Sequence, residues 1–176
     1  MQQGLHAYNL PTKIGVLYSF LKDQIHLPSL RGLSGRRNIT AEFNSQNEIL
    51  DKSSLLSVSD LKGNITYVND KFCEVSKYGR EELLGKPHSI VRHPDTSSET
   101  FKEMWRVIGS GKVWQGELQN LAKDGSSYWV CATVSPVLGQ NGKPVKYISM
   151  RQDITKQKLL SEELNQTKSR IDSDLY

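Results

Sequence analysis

A chain of 176 residues, 36% of them hydrophobic, carries apolar material for one domain of ordinary size with terminal extensions, and leaves no room for a second catalytic domain. The formal charge of +4 lies in the first 40 residues, where Lys13, Lys22, Arg31, Arg36 and Arg37 oppose Asp23 alone. The rest of the chain is therefore about neutral, which argues against a basic nucleic-acid-binding face and leaves the leader as a solvated arm. Cys73 and Cys131 form no CxxC pair, so neither a disulfide framework nor a zinc site is suggested, and no apolar run approaches the roughly 20 residues of a membrane span. A soluble protein of the reducing cytoplasm is expected.

Within the leader, Ile14, Leu17, Tyr18, Leu21 and Ile25 recur at helical spacing before Pro28, Gly32 and Gly35 break the pattern, which predicts a short amphipathic helix. Ser45 with Glu48 forms a capping box that opens a second helix to about Lys52. Leu56–Ser59 and Ile65–Val68 are β-favouring runs around the turn-rich Asp60–Asn64 and read as a hairpin. Short helices follow from Asn69, interrupted at Gly79 and stopped by Gly85 and Pro87. Thr96 with Glu99 makes another capping box, launching a helix on which Phe101, Trp105 and Ile108 align. Trp114–Leu121, Tyr128–Leu138 and Val145–Asp153 are strands separated by turns at Asp124-Gly125 and Asn141-Gly142. Asp153-Ile154-Thr155 then caps a charged helix running toward Tyr176, with Leu160, Leu164 and Ile171 near a heptad stripe. Two strands, several helices and three hairpin-linked strands define an α+β fold with an antiparallel sheet and helices on one face. The expected division is a basic leader over 1–44, a domain over 45–155 and an exit helix over 156–176.

The chemistry concentrates between Ile90 and Gly125. Arg92 offers a planar, permanently charged fork that suits a phosphate or carboxylate on a ligand, or equally an ion pair with Asp95. His93 and Asp95 are legitimate metal ligands, but no third or fourth residue stands at a zinc-motif spacing, so no metal site is expected; a hydrogen bond holding the loop, with Asp95 fixing the histidine tautomer, is the better use. Trp105 shares a helix face with Phe101 and Ile108, and an ordinary core role explains it. Trp114 starts a strand on which Gly116, Leu118 and Asn120 point the same way. A buried, unpaired Asn120 would cost about 1–3 kcal/mol, so it calls either for a polar ligand or for an edge position facing solvent. No nucleophile elbow, phosphate-binding glycine loop, or kinase or cyclase signature is present, and no catalytic residue is assigned.

These residues also carry a resemblance. Ser59-Asp60-Leu61-Lys62-Gly63-Asn64-Ile65-Thr66-Tyr67-Val68-Asn69 resembles the opening of PAS sensor domains, and Arg151-Gln152-Asp153-Ile154-Thr155 resembles their exit into a signalling helix. Val91-Arg92-His93-Pro94-Asp95, Met104-Trp105, Trp114-Gln115-Gly116 and Asn120 are similar to the flavin-binding PAS domain of bacterial aerotaxis receptors; the likeness covers about Leu55–Lys158. It implies a five-stranded antiparallel sheet with helices over one face, enclosing non-covalently bound FAD. By that analogy Arg92, His93, Asp95, Trp105, Trp114 and Asn120 are the cofactor-binding set. It further implies a redox- or oxygen-sensing input domain feeding a chemotaxis receptor signalling region, a histidine kinase or a cyclase, and a homodimer through the terminal helices. Two positions depart from the family pattern: Thr96-Ser97 replaces Met-Pro, and Leu121 stands where an arginine after the strand asparagine would offer a phosphate contact. The cysteine of light-sensing relatives is missing from Ile90–Pro94, so a covalent photoadduct is not expected, and both thiols read as small buried apolar groups. A cofactor-free PAS interaction module, or a haem-binding one with His88 or His93 as axial ligand, are the alternatives.

Overall fold

The computed structural model describes residues 52–174. The two expected helices before Lys52 lie outside the described residues. The strands are β1 (Leu55–Ser59), β2 (Ile65–Val68), β3 (Trp114–Leu121), β4 (Ser127–Leu138) and β5 (Pro144–Asp153); the helices are α1 (Asp70–Ser76), α2 (Arg80–Leu83), α3 (Ser98–Gly109) and α4 (Thr155–Asp174). One 3-10 turn, His88–Val91, lies between α2 and α3. The five strands make one sheet in the order β2-β1-β5-β4-β3, every neighbouring pair antiparallel. The α+β expectation holds, with the last strand in chain order at the centre of the sheet.

Local chemistry explains each boundary. Asp60 accepts hydrogen bonds from the backbone N–H groups of Lys62 and Asn64, and Gly63 takes φ +84°, which closes the β1–β2 turn. Asn69 caps α1: its Oδ1 accepts from the N–H groups of Phe72 and Leu56, and its Nδ2 donates to the Ser54 carbonyl. One buried amide thereby fixes helix α1 onto strand β1. Glu82 accepts from the Gly79 N–H and meets Lys123 at 2.6 Å, tying α2 to the β3–β4 turn.

The cap of α3 is displaced by one residue from the expectation. Ser97, not Thr96, accepts from the Glu99 N–H, because the Thr96 hydroxyl donates to the Gln119 carbonyl of β3 at 2.9 Å. A contact across the fold takes the hydroxyl that the local pattern had assigned to the helix.

Two-residue periodicity gives the sheet an inner face. Leu55, Ser57 and Ser59 on β1, Tyr147, Ser149 and Arg151 on β5, and Leu118 and Asn120 on β3 are all buried. Phe72, Leu83, Val91, Ile108, Val130 and Ala132 complete a core between this face and the helices. The expectation that both cysteines are buried is corrected: Cys73 is partly buried, but Cys131 is exposed, because strand parity turns it to the outer face opposite Glu117.

Candidate binding cavity

Between the inner face of the sheet and α3 lies a cavity of about 250 Å³. Its aliphatic wall comes from Val91, Ile108, Leu118 and Val134, and its polar floor from Ser57, Ser149, Arg151 and Asn120. The opening lies among exposed Lys62, Pro87 and Ser89 and the half-exposed Trp105. The volume is just under the roughly 300–1,000 Å³ of small-molecule pockets, so it suits a ring system whose remaining atoms extend outside.

Arg151 is the central feature of the floor. It is fully enclosed, yet has no carboxylate partner among the described residues, and its Nε and Nη1 donate to nothing. Its Nη2 donates to His88 Nδ1 at 3.3 Å. Guanidinium has only donors, so His88 Nδ1 is the acceptor, the ring proton sits on Nε2, and Nε2 donates to Ser57 Oγ at 3.0 Å. Burial first, and the Arg151 charge second, hold the His88 pKa well below its ordinary value. Burial also lowers that of Arg151, but guanidinium is basic enough to remain charged. The Phe72 ring, 5.5 Å from the guanidinium carbon, meets part of the charge, but a buried cation with two idle donors is costly unless an acceptor meets them.

Asn120 reinforces that demand. It is 3% exposed and its Nδ2 has no acceptor, so the alternative of a solvent-facing edge asparagine does not hold. The neighbouring Tyr128 hydroxyl also lacks a hydrogen-bond partner, as does Ser149 Oγ. Burial raises the Tyr128 pKa; the Arg151 charge and then the Asn120 amide oppose the shift, the amide acting from outside hydrogen-bonding geometry. The floor therefore presents guanidinium and amide donors plus a two-way hydroxyl, and fits the acceptor-rich edge of a flat molecule.

The loop before α3 is arranged differently. Arg92 forms a backbone bridge with Asn120, which extends the edge of β3. Its guanidinium lies 4.1 Å over the Phe101 ring and its Nη2 donates to the Thr96 carbonyl, so the expected alternative of an ion pair with Asp95 is not formed. The His93 N–H donates to the Gln119 carbonyl, and the Asp95 N–H donates to His93 Nδ1 at 3.2 Å. Asp95 does select the histidine tautomer, but through its backbone; its carboxylate stands 3.8 Å away and points to solvent. Among the described residues no three histidine, cysteine or carboxylate side chains converge on a metal position.

Of the six residues expected at the site, Arg92, Trp105 and Asn120 line the cavity, whereas His93, Asp95 and Trp114 do not. The two tryptophans exchange the roles expected of them. Trp105, 38% exposed, forms the rim, packing edge-on to Tyr147 at 5.5 Å and lying against Gly63. Trp114, 6% exposed, folds back over Gly116 and joins the core; a Cβ at Gly116 would stand 2.5 Å from the indole.

Ser57 and Ser149 were not singled out from sequence, Arg151 entered only as part of the exit motif, and His88 only as an alternative haem ligand. A signal existed: Tyr147, Ser149 and Arg151 alternate along one strand, which puts the arginine on the same face as the tyrosine.

Residues 65–151 match the model of a family described as the PAS fold. The chain is 38% identical over 115 residues to the aerotaxis receptor of Escherichia coli (strain K12), covering 65% of this chain and 22% of the receptor. It is 33% identical over 112 residues to a nitrogen fixation regulatory protein of Klebsiella pneumoniae, covering 64% of this chain and 23% of the relative. It thus spans less than a quarter of these curated relatives. The crystal structure of the PAS domain of a protein from Colwellia psychrerythraea superposes with a TM-score of 0.58 at 25% identity, covering 64% of this chain and 97% of that one.

Proposed function

Because the chain belongs to the PAS family through residues 65–151, we propose that it is the input domain of a redox- or oxygen-sensing pathway, binding FAD non-covalently between the sheet and α3. The observation that carries this reading is the buried Arg151, with two idle donors beside the idle amide of Asn120. A flavin ring has the flat shape for the aliphatic walls and an edge of carbonyl oxygens and ring nitrogens for that floor. When bound, it supplies reversible electron uptake.

The chain's own residues divide the work. Arg151, Asn120 and Ser149 hold and orient the ring edge. Val91, Ile108, Leu118 and Val134 exclude water from its faces. Trp105 closes the rim, and Arg92, with His93 and Asp95 shaping its loop, would offer its charge to the phosphate portion. Trp114 supports the site from the core by setting the position of β3.

The relay follows from connectivity. Arg151 donates to His88 and would keep Nε and Nη1 for the ligand, and it is followed on β5 by Gln152 and Asp153, which lead into α4. Arg151, drawn more or less strongly from His88 as the charge it faces changes, would bias the strand that launches the helix; the relay requires two arrangements of β5 stabilised to different extents. The output is a chemotaxis receptor signalling region, a histidine kinase or a cyclase, in a cytoplasmic homodimer held by terminal helices. The domain acts as a sensor rather than as a catalyst. Among the described residues, no helix is long and apolar enough to cross a membrane.

The haem reading is disfavoured because both ring nitrogens of His88 are engaged and His93 does not line the cavity. Absorbance of the purified full chain, supplied with excess FAD and freed of unbound flavin, tests the proposal. Flavin bands that bleach with dithionite are expected; a colourless protein, or a Soret band on haem addition without flavin uptake, would overturn it.

A further inference from the structure

The permanent charges around the cavity all have one sign. Lys62, Arg92 and Arg151 line it, and among the described residues no aspartate or glutamate does. Lys62 is exposed to water, and Arg92 has the Phe101 ring and the Thr96 carbonyl. Arg151 has neither solvent nor a carboxylate, so its charge is the one left without an answer.

The neighbouring groups do not supply the missing negative charge. His88 is neutral, with Nδ1 turned to Arg151 and Nε2 to Ser57. The Tyr128 phenol feels the guanidinium charge, but burial raises its pKa and keeps it protonated. Asp153, two residues along β5, is exposed and accepts from the N–H and hydroxyl of Thr155 instead. What collects around the guanidinium is a set of donors. Arg151 Nε and Nη1, Asn120 Nδ2 and Ser149 Oγ have no acceptor, and their three residues are at most 7% exposed and line the same cavity. Water in the floor satisfies a donor but leaves the charge uncompensated, whereas a small anion does both. A cavity of about 250 Å³ has room for such an ion, which takes a volume near that of one water, roughly 30 Å³.

We infer that the floor of the cavity is an anion site: in the flavin-free chain Arg151 binds a small monovalent anion of the halide class, assisted by the Asn120 amide and the Ser149 hydroxyl. A monovalent ion matches the single enclosed cation, whereas a divalent oxyanion brings surplus charge into the same low-dielectric space. The site goes beyond the flavin reading and does not need it. One consequence does rest on that reading: the ring edge and the anion compete for Arg151, so halide concentration sets how much of the domain is free to take flavin.

Chloride is the probe, added as its sodium salt to the flavin-free 176-residue chain. Thermal unfolding should shift upward and saturate, by roughly 4–8 °C at about tenfold above the dissociation constant, and the chloride NMR resonance should broaden through exchange with the protein. Arg151→Met should remove both responses. Having lost the buried charge, it starts no less stable than the wild type in chloride-free buffer, and any gap in its favour narrows as chloride is added. Asn120→Ala, which keeps the charge, should weaken chloride by about threefold or more. Saturating FAD should return the linewidth to that of Arg151→Met. Responses shared equally by the wild type and Arg151→Met, a wild type without a saturable response, or broadening that persists at full FAD occupancy would overturn the inference. A chain that binds FAD but not chloride contradicts the anion site alone, and one that binds chloride but not FAD contradicts the flavin reading alone.

Discussion

The two walls of the cavity differ in how far each satisfies itself. On the helical side, Arg92 has a ring and a carbonyl, His93 has the Asp95 N–H, and Trp105 rests on Tyr147 and Gly63. On the sheet side, Arg151 lies 5.5 Å from the Phe72 ring and donates once to His88, but its Nε and Nη1, with Asn120 Nδ2 and Ser149 Oγ, are enclosed and meet nothing. A buried polar group without a partner costs free energy, whereas an exposed or internally paired one does not. The sheet wall is therefore shaped for a ligand, and the helical wall for itself. Binding energy should concentrate on the sheet, with the loop and α3 contributing shape and closure.

The largest expected effect separates the two tryptophans. Trp114→Ala removes a core indole and should cost about 3–5 kcal/mol of stability in denaturant unfolding. Trp105→Ala, at the rim, should cost about 1 kcal/mol or less and show instead as faster loss of flavin. Equal destabilisation by both would break the assignment of Trp114 to the core and Trp105 to the rim.

Next comes the pH dependence of the sheet wall. The folded-state pKa of His88 is depressed below 6.5, so below about that pH the unfolded chain takes up a proton that the folded chain refuses. Stability is fully present above pH 6.5 and falls as the pH drops, by up to about 1.4 kcal/mol per unit, until the lower folded pKa is reached. His88→Gln should remove one proton from the pH slope of unfolding measured between about pH 6.5 and 5. An unchanged slope would show that the imidazole is not held neutral.

The smallest effects compare the two sides for binding. Asn120→Ala should weaken FAD in a fluorescence titration by about tenfold, the value of one buried hydrogen bond, with little loss of stability. Arg92→Ala should weaken it by about threefold or less, as for a partly exposed charge. The reverse order would move the specificity from the sheet to the loop.

How much of this was legible in sequence depended on whether the cause was local. Asp60, Asn64, Gly125 and Gly142 act within their own turns, and the hairpins appeared where those residues predicted them. The cap of α3 was misplaced by one residue because the Thr96 hydroxyl answers to Gln119, 23 residues away. Strand parity correctly put Trp114 and Asn120 on the inner face. It could not foretell that the indole would turn back over Gly116, because that depends on the space left by a neighbour two residues along. Arg151 shows the other limit. Alternation with Tyr147 and Ser149 would have put it inside, but an arginine in a polar exit motif reads as a surface residue until the strand order is known, and β5 becomes central only through pairing with β1 and β4. The haem and ion-pair alternatives for His88 and Arg92 likewise turned on partners from distant segments.

The central claim is that Arg151 is kept buried, with two of its donors unmet, for the sake of a ligand. Arg151→Met tests it most directly, with thermal unfolding and FAD titration measured on the same 176-residue chain. Stability without flavin should be equal to or above that of the wild type, since an uncompensated charge has been removed, while FAD affinity falls by about 1.5–3 kcal/mol, or roughly 10- to 150-fold. A variant that loses stability yet binds FAD as tightly as the wild type would contradict the account.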